Sequence, residues 1–315
     1  MRRPKLVVSK CLGFENCRYN GQGGSSKLIE MLSDYVDFYT VCPEVEIGLS
    51  TPREAIRIVE YDNVKKLIQP KTNIDYTDSM KKFSKSYIEN LKDIDGCILK
   101  SRSPSCGLND VKVYHRNGQS SLFNGSNGVF TQELLNSYGH LPIENEGRLK
   151  NYFIRDDFLT KLFVINDFKS DKKNIARFHN KNDLLLKSYD FNLFKELDEI
   201  LKEESDLERK IVKYENKLYQ ILNKSRTVKK NIQTIIQIYN KYENKLTMKE
   251  RELFVDNVVK YSKGKLPISA IFSNVKLYAA RFEDEHILNQ NIFSPYPENL
   301  VDLSDSGKGR TLEIK

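Results

Sequence analysis

The passage Leu6-Val7-Val8-Ser9-Lys10-Cys11-Leu12-Gly13-Phe14-Glu15-Asn16-Cys17-Arg18-Tyr19-Asn20-Gly21 narrows the possible folds of this chain more than any other. Its first three residues are apolar and β-favouring, the pattern of a short strand buried on both faces. Gly13, Asn16, Gly21, Gly23 and Gly24 then interrupt regular structure, and helical spacing resumes at Ser25. A strand feeding a glycine-marked loop and then a helix is the repeating unit of open α/β sheets. Such sheets place their ligands beyond the C-terminal ends of the strands. Cys11 and Cys17 lie in that loop with five residues between them.

The alternation continues to about residue 145. Residues 38–41, 96–100 and 111–114 read as strands, 56–59 as a β-branched run and 141–143 as a last edge strand. Residues 25–36 and 128–138 read as helices, as do 77–91, where Met80, Phe83, Tyr87 and Leu91 share a face. The expected class is α/β, with a mostly parallel sheet covered on both faces by helices. After Glu146-Gly147-Arg148 the chain becomes rich in Lys, Asn, Leu and Tyr and poor in Gly and Pro. Amphipathic helices are expected at 191–201, 211–222, 232–242 and 253–261, so the division is 1–146 for the α/β domain and 147–315 for an all-α domain. The tail from Asp305 is polar and expected to be loose.

At 315 residues, 39% hydrophobic and 30% charged, the chain has the length for two packed domains. No apolar run approaches the ~18 residues of a membrane helix, and the segment after Met1-Arg2-Arg3-Pro4-Lys5 is too short for a secretory signal. A cytoplasmic protein with no membrane partner is expected. Five cysteines, an odd number, do not make a disulfide scaffold at this length and point to metal or catalysis.

Cys106 follows the strand ending at Lys100, in the loop Ser101-Arg102-Ser103-Pro104-Ser105-Cys106-Gly107. In a parallel sheet that strand end shares an edge with the one preceding Cys11 and Cys17. Three convergent thiolates suit an iron–sulfur cluster with one iron left open. Zinc competes, although its structural sites use four protein ligands, and small buried hydrophobes are the plain alternative. Cys97, inside an apolar strand, reads as core. Glu44, after Cys42-Pro43, is placed to reach the same crevice, where partial burial would raise its pKa for proton exchange. Pairing with Arg53 or Arg18 is the competing role. Ser103 and Ser105 flank Pro104, and either hydroxyl could relay a proton or simply satisfy loop backbone groups.

The formal charge is +8, and it is concentrated in residues 209–230, where eight cations face Glu215 alone. Lys210, Lys213, Lys217, Lys224 and Tyr214 fall near one side at helical spacing, a candidate phosphate track if it is not a solvated face. His179, after Phe178, is a candidate partner contact, against a capping or core role.

Taken together, several stretches resemble one family. They are Val8-Ser9-Lys10-Cys11-Leu12 with Cys17-Arg18-Tyr19-Asn20-Gly21, Val41-Cys42-Pro43-Glu44-Val45 with Gly48-Leu49 and Thr51-Pro52-Arg53, and Lys100 to Gly107. Residues 1 to about 145 resemble the TudS-like thiouracil desulfidase domain. The C-terminal half is similar to the YbgA-type domain, through Phe178-His179, Tyr261-Ser262-Lys263-Gly264 with Pro267, and Ser294-Pro295-Tyr296-Pro297.

The resemblance implies a Rossmann-like N-terminal fold and a [4Fe-4S] cluster held by Cys11, Cys17 and Cys106, its open iron binding the substrate's sulfur. It implies acid–base roles for Glu44 and Ser103. The fusion resembles an RNA desulfidase that converts 4-thiouridine in tRNA to uridine without net electron transfer. Two other readings stand beside it. One is a desulfidase of free thiolated nucleobases such as 2-thiouracil, with the helical domain serving oligomerisation. The other is a non-catalytic metal-containing RNA-binding protein.

Overall fold

In the computed structural model, residues 2–116 and 121–304 are described, so the tail from Asp305 lies outside the described residues. Residues through Phe158, joined by Asn299 and its successors, form one compact unit, and Leu159–Glu298 form the second.

The strands, in chain order, are β1 (Lys5–Ser9), β2 (Asp37–Val41), β3 (Arg57–Tyr61), β4 (Val64–Gln69), β5 (Ile74–Asp75), β6 (Gly96–Leu99), β7 (Val111–Tyr114), β8 (Ser121–Ser126) and β9 (Ile143–Asn145). A four-stranded sheet in the order β2-β1-β6-β9 is parallel throughout. This is the parallel sheet expected from the alternation. Its central strands are apolar along their length because both faces are covered: Leu6, Val7 and Val8 are fully buried, as are Cys97 and Leu99. Edge strand β2 instead alternates exposed and half-buried positions up to a buried Val41.

A second sheet, β5-β4-β3-β7-β8, adds to that expectation. Only its β3–β7 pair is parallel; β3–β4, β4–β5 and β7–β8 are antiparallel. The β3–β4 hairpin turns on Asp62 and Asn63, both at positive φ. Asp and Asn tolerate that left-handed conformation better than other non-glycine residues.

The helices of this unit are α1 (Lys27–Leu32), α2 (Pro43–Glu46), α3 (Thr77–Asn90) and α4 (Val129–Tyr138). Phe83 and Tyr87 of α3 pack on Phe130 of α4, with ring centroids 6.4 and 5.7 Å apart.

The second unit is helical: α5 (Tyr152–Ser170), α6 (Ile175–Tyr189), α7 (Phe191–Lys202), α8 (Leu207–Leu222), α9 (Val228–Tyr239), α10 (Met248–Ser262), α11 (Ile268–Arg281) and the single turn α12 (Glu285–Leu288). Its helix starts follow local capping chemistry. Asp190 accepts from the N–H groups of Asn192 and Leu193, and Asp206 from those of Glu208 and Arg209. Thr247 and Glu250 complete a reciprocal capping box.

The division between units falls inside α5, twelve residues beyond the composition change at 146. The first two turns of α5 belong to the α/β unit. There Arg155 is buried and donates to the carbonyls of Leu149, Lys150 and Ser304. Residue usage changes where the element type changes, while packing changes sides partway along a continuous helix. Among the described residues no helix is long and apolar enough to cross a membrane.

Candidate active site

Parallel pairing brings the C-terminal ends of β1, β2 and β6 side by side. The Lys100 N–H donates to Ser9 Oγ at 2.9 Å, and the Lys10 N–H to the Val41 carbonyl at 2.8 Å. The loops that leave these ends wall a cavity of about 450 Å³, lined by Cys11, Cys17, Cys106, Glu44 and Ser103. Five of the six residues singled out for chemistry in this domain therefore line one cavity, and the sixth, Ser105, is not in its lining. Residues of β3 and β7 line the same cavity, and there the Arg57 guanidinium lies 4.8 Å from the centre of the Tyr114 ring.

The Cys106 loop is fixed by backbone hydrogen bonds. Gly107 N–H donates to the Ser103 carbonyl, Gly128 N–H to Gly107, Val129 N–H to Pro104 and Thr131 N–H to Ser105. The first turn of α4 is thus bonded to this loop through its free amides. A Cβ at Gly128 would sit 2.3 Å from the Ser105 carbonyl oxygen, so no other residue fits there without displacing the loop. Ser103 Oγ accepts from the N–H groups of Ser105 and Cys106 at 3.2 and 3.1 Å, which is the loop-satisfying role open to it from sequence.

Glu44 lies in the first turn of α2, behind Pro43. Its Oε2 accepts from Arg53 Nε at 2.9 Å and Nη2 at 2.6 Å, and its Oε1 accepts from Ser105 Oγ at 3.0 Å. The side chains of Arg53 and Glu44 are 4% and 12% exposed, and Ser105 is fully buried, so this is an interior ion pair with a hydroxyl attached. Arg53 also donates to the carbonyl of Cys17 at 3.1 Å and to that of Ser50 at 3.2 Å. The pairing with Arg53 is the competing role foreseen for Glu44. The serine that touches the carboxylate is Ser105, whereas Ser103 braces the loop.

The family model of the 2-thiouracil desulfurases matches residues 6–146, and a family of unknown function, DUF1722, matches 183–297. The uncharacterized protein YbbK of Bacillus subtilis (strain 168) is 34% identical over 149 residues, which are 45% of this chain and 96% of that relative. The chain belongs to the 2-thiouracil desulfurase family. A solved structure of the [4Fe-4S]-dependent thiouracil desulfidase TudS is also similar, at 24% identity over 47% of this chain and 93% of that one, with a TM-score of 0.37.

In this desulfurase domain the three thiols share an electrostatic environment. Burial pushes the Cys11 thiol up, and the Arg18 guanidinium beside it pulls it back down. Burial, reinforced by the neighbouring Cys42 thiol, pushes Cys17 up to about 12. Cys106 is driven well above the ordinary thiol range by burial, opposed by the Ser9 hydroxyl. Cys42, whose thiol donates to the Cys17 carbonyl at 3.8 Å, contributes to all three shifts. Metal-free thiols of this kind are protonated at neutral pH, so taking up a metal centre displaces protons.

The donor set is three cysteine thiols lining one cavity, the ligand type of an iron–sulfur cluster. A zinc site draws its thiolates to roughly 2.3 Å from one centre. Among the described residues no three His, Cys, Asp or Glu side chains come close enough to hold one metal ion. The Arg18 Nε beside Cys11 is buried without a hydrogen-bond partner.

The candidate RNA contacts of the helical unit fare differently. His179 and Tyr214 are buried, at 5% and 0% exposure, and form its core. His179 stacks on Phe194 with centroids 4.8 Å apart, its Nε2 lies 2.9 Å from Asp198 Oδ1, and its Nδ1 lies 3.0 Å from the Tyr214 hydroxyl. Neither side chain is placed to touch RNA. The basic track is also partly neutralised. Lys213 pairs with Glu203 and Lys217 with Glu196, each at 2.6 Å, while Lys210 donates to the Leu201 carbonyl at 3.2 Å. Lys224 is exposed. The linear count at 209–230 missed acids that reach across from α7 and the turn after it.

Proposed function

We propose that this chain is an iron–sulfur-dependent desulfidase that replaces the sulfur of a thiolated pyrimidine, 4-thiouridine in tRNA, with oxygen. The observation that carries the reading is the placement of Glu44 in the wall of the cavity lined by Cys11, Cys17 and Cys106. Water and the C=S carbon give C=O and hydrogen sulfide, so atoms balance and no electrons change hands. Cys11, Cys17 and Cys106 would hold a [4Fe-4S] cluster, which would supply a soft Lewis acid for sulfur.

The chain's own side chains do the remaining work. Glu44 takes a proton from the attacking water and returns it toward the leaving sulfur or the ring nitrogen. Arg53 and Ser105 hold its two oxygens, so the carboxylate meets the reacting atoms in one orientation. Arg57 and Tyr114 give the cavity wall a cation stacked on an aromatic face, suited to a planar ring. A base paired in tRNA must be unstacked to enter. The choice of RNA over a free base rests on the net charge of +8 and the fused helical unit, which a small-molecule desulfidase does not need.

The test is mass analysis of 4-thiouridine-containing tRNA, with free 2-thiouracil in parallel, before and after anaerobic incubation with cluster-loaded protein. Conversion of the tRNA is the expected result. Conversion of the free base alone would move the assignment to nucleobase desulfuration, and conversion of neither would remove the enzymatic reading.

A further inference from the structure

A second cavity, of about 560 Å³, lies in the α/β unit and shares Arg18 and Lys100 with the thiol-lined one. Lys27, Lys150 and Arg155 complete its basic lining, against the two carboxylates of Glu146 and Asp302. Those two are already matched: Glu146 pairs with Lys100, and Asp302 pairs with Lys27 at 3.0 Å. Arg18, Lys150 and Arg155 are left without a carboxylate partner among the described residues. Arg155 spends its donors on backbone carbonyls and so contributes only its field. Arg18 brings a guanidinium to the wall, and Lys150 brings an exposed ammonium. Ser26, in the same wall, makes no side-chain capping bond to the helix it precedes, so its hydroxyl is available.

We infer that this cavity binds a phosphate group of the nucleotide whose base occupies the thiol-lined cavity. The inference rests on reading that first cavity as the site of the thiolated base. A phosphate needs charged donors and hydroxyls converging on a concave surface with surplus positive charge, and this lining provides them. Arg18 stands in both walls and so lies between the sulfur chemistry and the backbone of the same nucleotide. The site thereby distinguishes a nucleotide from a free base within the desulfurase domain itself, independently of the helical unit.

The test titrates the full-length metal-free protein with uridine, uridine 5′-monophosphate and the dinucleotide UpU. At least one phosphorylated ligand should bind about ten-fold tighter than uridine. Lys150→Glu should abolish that advantage, while the equal charge change Lys202→Glu on α7 should leave it. An advantage for the monophosphate alone identifies a terminal phosphate, and one for UpU an internal phosphodiester. Equal affinity for all three ligands, or an advantage that survives Lys150→Glu, overturns the inference. Because these measurements need no cluster and no turnover, loss of the desulfidase reading is scored separately, by the tRNA assay.

Discussion

Ser105 donates its hydroxyl hydrogen to Glu44 Oε1 at 3.0 Å, joining residues sixty-one positions apart. The contact ties the loop that carries Cys106 to the turn that carries Glu44, so the thiol and the carboxylate share one support. Ser103, two residues earlier, holds the same loop by accepting its backbone N–H groups.

The two serines should therefore fail in different ways. Ser105→Ala should retain iron, lower kcat about 10- to 100-fold and shift the pH–rate profile, because it removes a donor to the acid–base group. Ser103→Ala should lower iron retention, because the N–H groups of Ser105 and of Cys106, the proposed third ligand, lose their acceptor. Iron content and pH profiles of both variants check this, and identical behaviour would dissolve the distinction.

Arg53 binds Glu44 and the carbonyl of Cys17 from a position almost fully buried. Arg53→Ala leaves a buried carboxylate unpaired, at a cost of about 3–5 kcal/mol. The midpoint of urea unfolding should fall accordingly. Arg53→Lys should recover only part of it, because an ammonium cannot present the planar fork.

Cys42 raises the Cys17 pKa, second only to burial. In metal-free protein, Cys42→Ser should bring the Cys17 pKa down, read from the pH dependence of its alkylation by peptide mass spectrometry. Iron binding by the loaded protein should persist in this variant and fall sharply in Cys11→Ser, Cys17→Ser or Cys106→Ser.

His179 is held neutral by burial, which lowers its pKa below the ordinary 6.5 despite the opposing pull of Asp198. The unfolded chain thus takes up this proton first as pH falls. The stabilisation is complete above about pH 6.5 and is lost as pH drops toward the folded-state pKa. The wild-type protein should lose up to about 1.4 kcal/mol per pH unit more than His179→Gln in that window. Denaturant titrations at pH 7.5, 6.5 and 5.5 measure the difference.

The parallel sheet was legible because Leu6-Val7-Val8 and Cys97-Ile98-Leu99 are continuous apolar runs beside glycine-marked loops. The convergence of Cys11, Cys17 and Cys106 followed from those strands being parallel neighbours. Of the second sheet, the β-branched run at 56–59 and the strand at 111–114 were legible, but their pairing and the strands β4, β5 and β8 were hidden. Val64-Lys65-Lys66-Leu67-Ile68-Gln69 runs from exposed Val64 and Lys65 to a buried end and shows no clean alternation, so the pairing that brings Arg57 and Tyr114 to the site could not be read. Ser105 and Arg53 stood within quoted motifs, but which hydroxyl reaches Glu44 depends on the loop's path around Pro104. In the helical unit, Tyr214 shares a face with the lysines by spacing, yet α8 buries it against Phe168 and Phe178. A periodicity of 3.6 marks a face without saying whether that face looks inward.

The anchoring of the Cys106 loop by the opening amides of α4 sets an order of events during biosynthesis. Cys11 and Cys17 leave the ribosome well before the residues through Tyr138 that hold their third companion. A nascent chain therefore carries two bare thiols with no completed nest for iron. On the proposed cluster assignment, metal delivery would be a late act, and a truncation ahead of α4 should yield a colourless product however much iron the cell supplies.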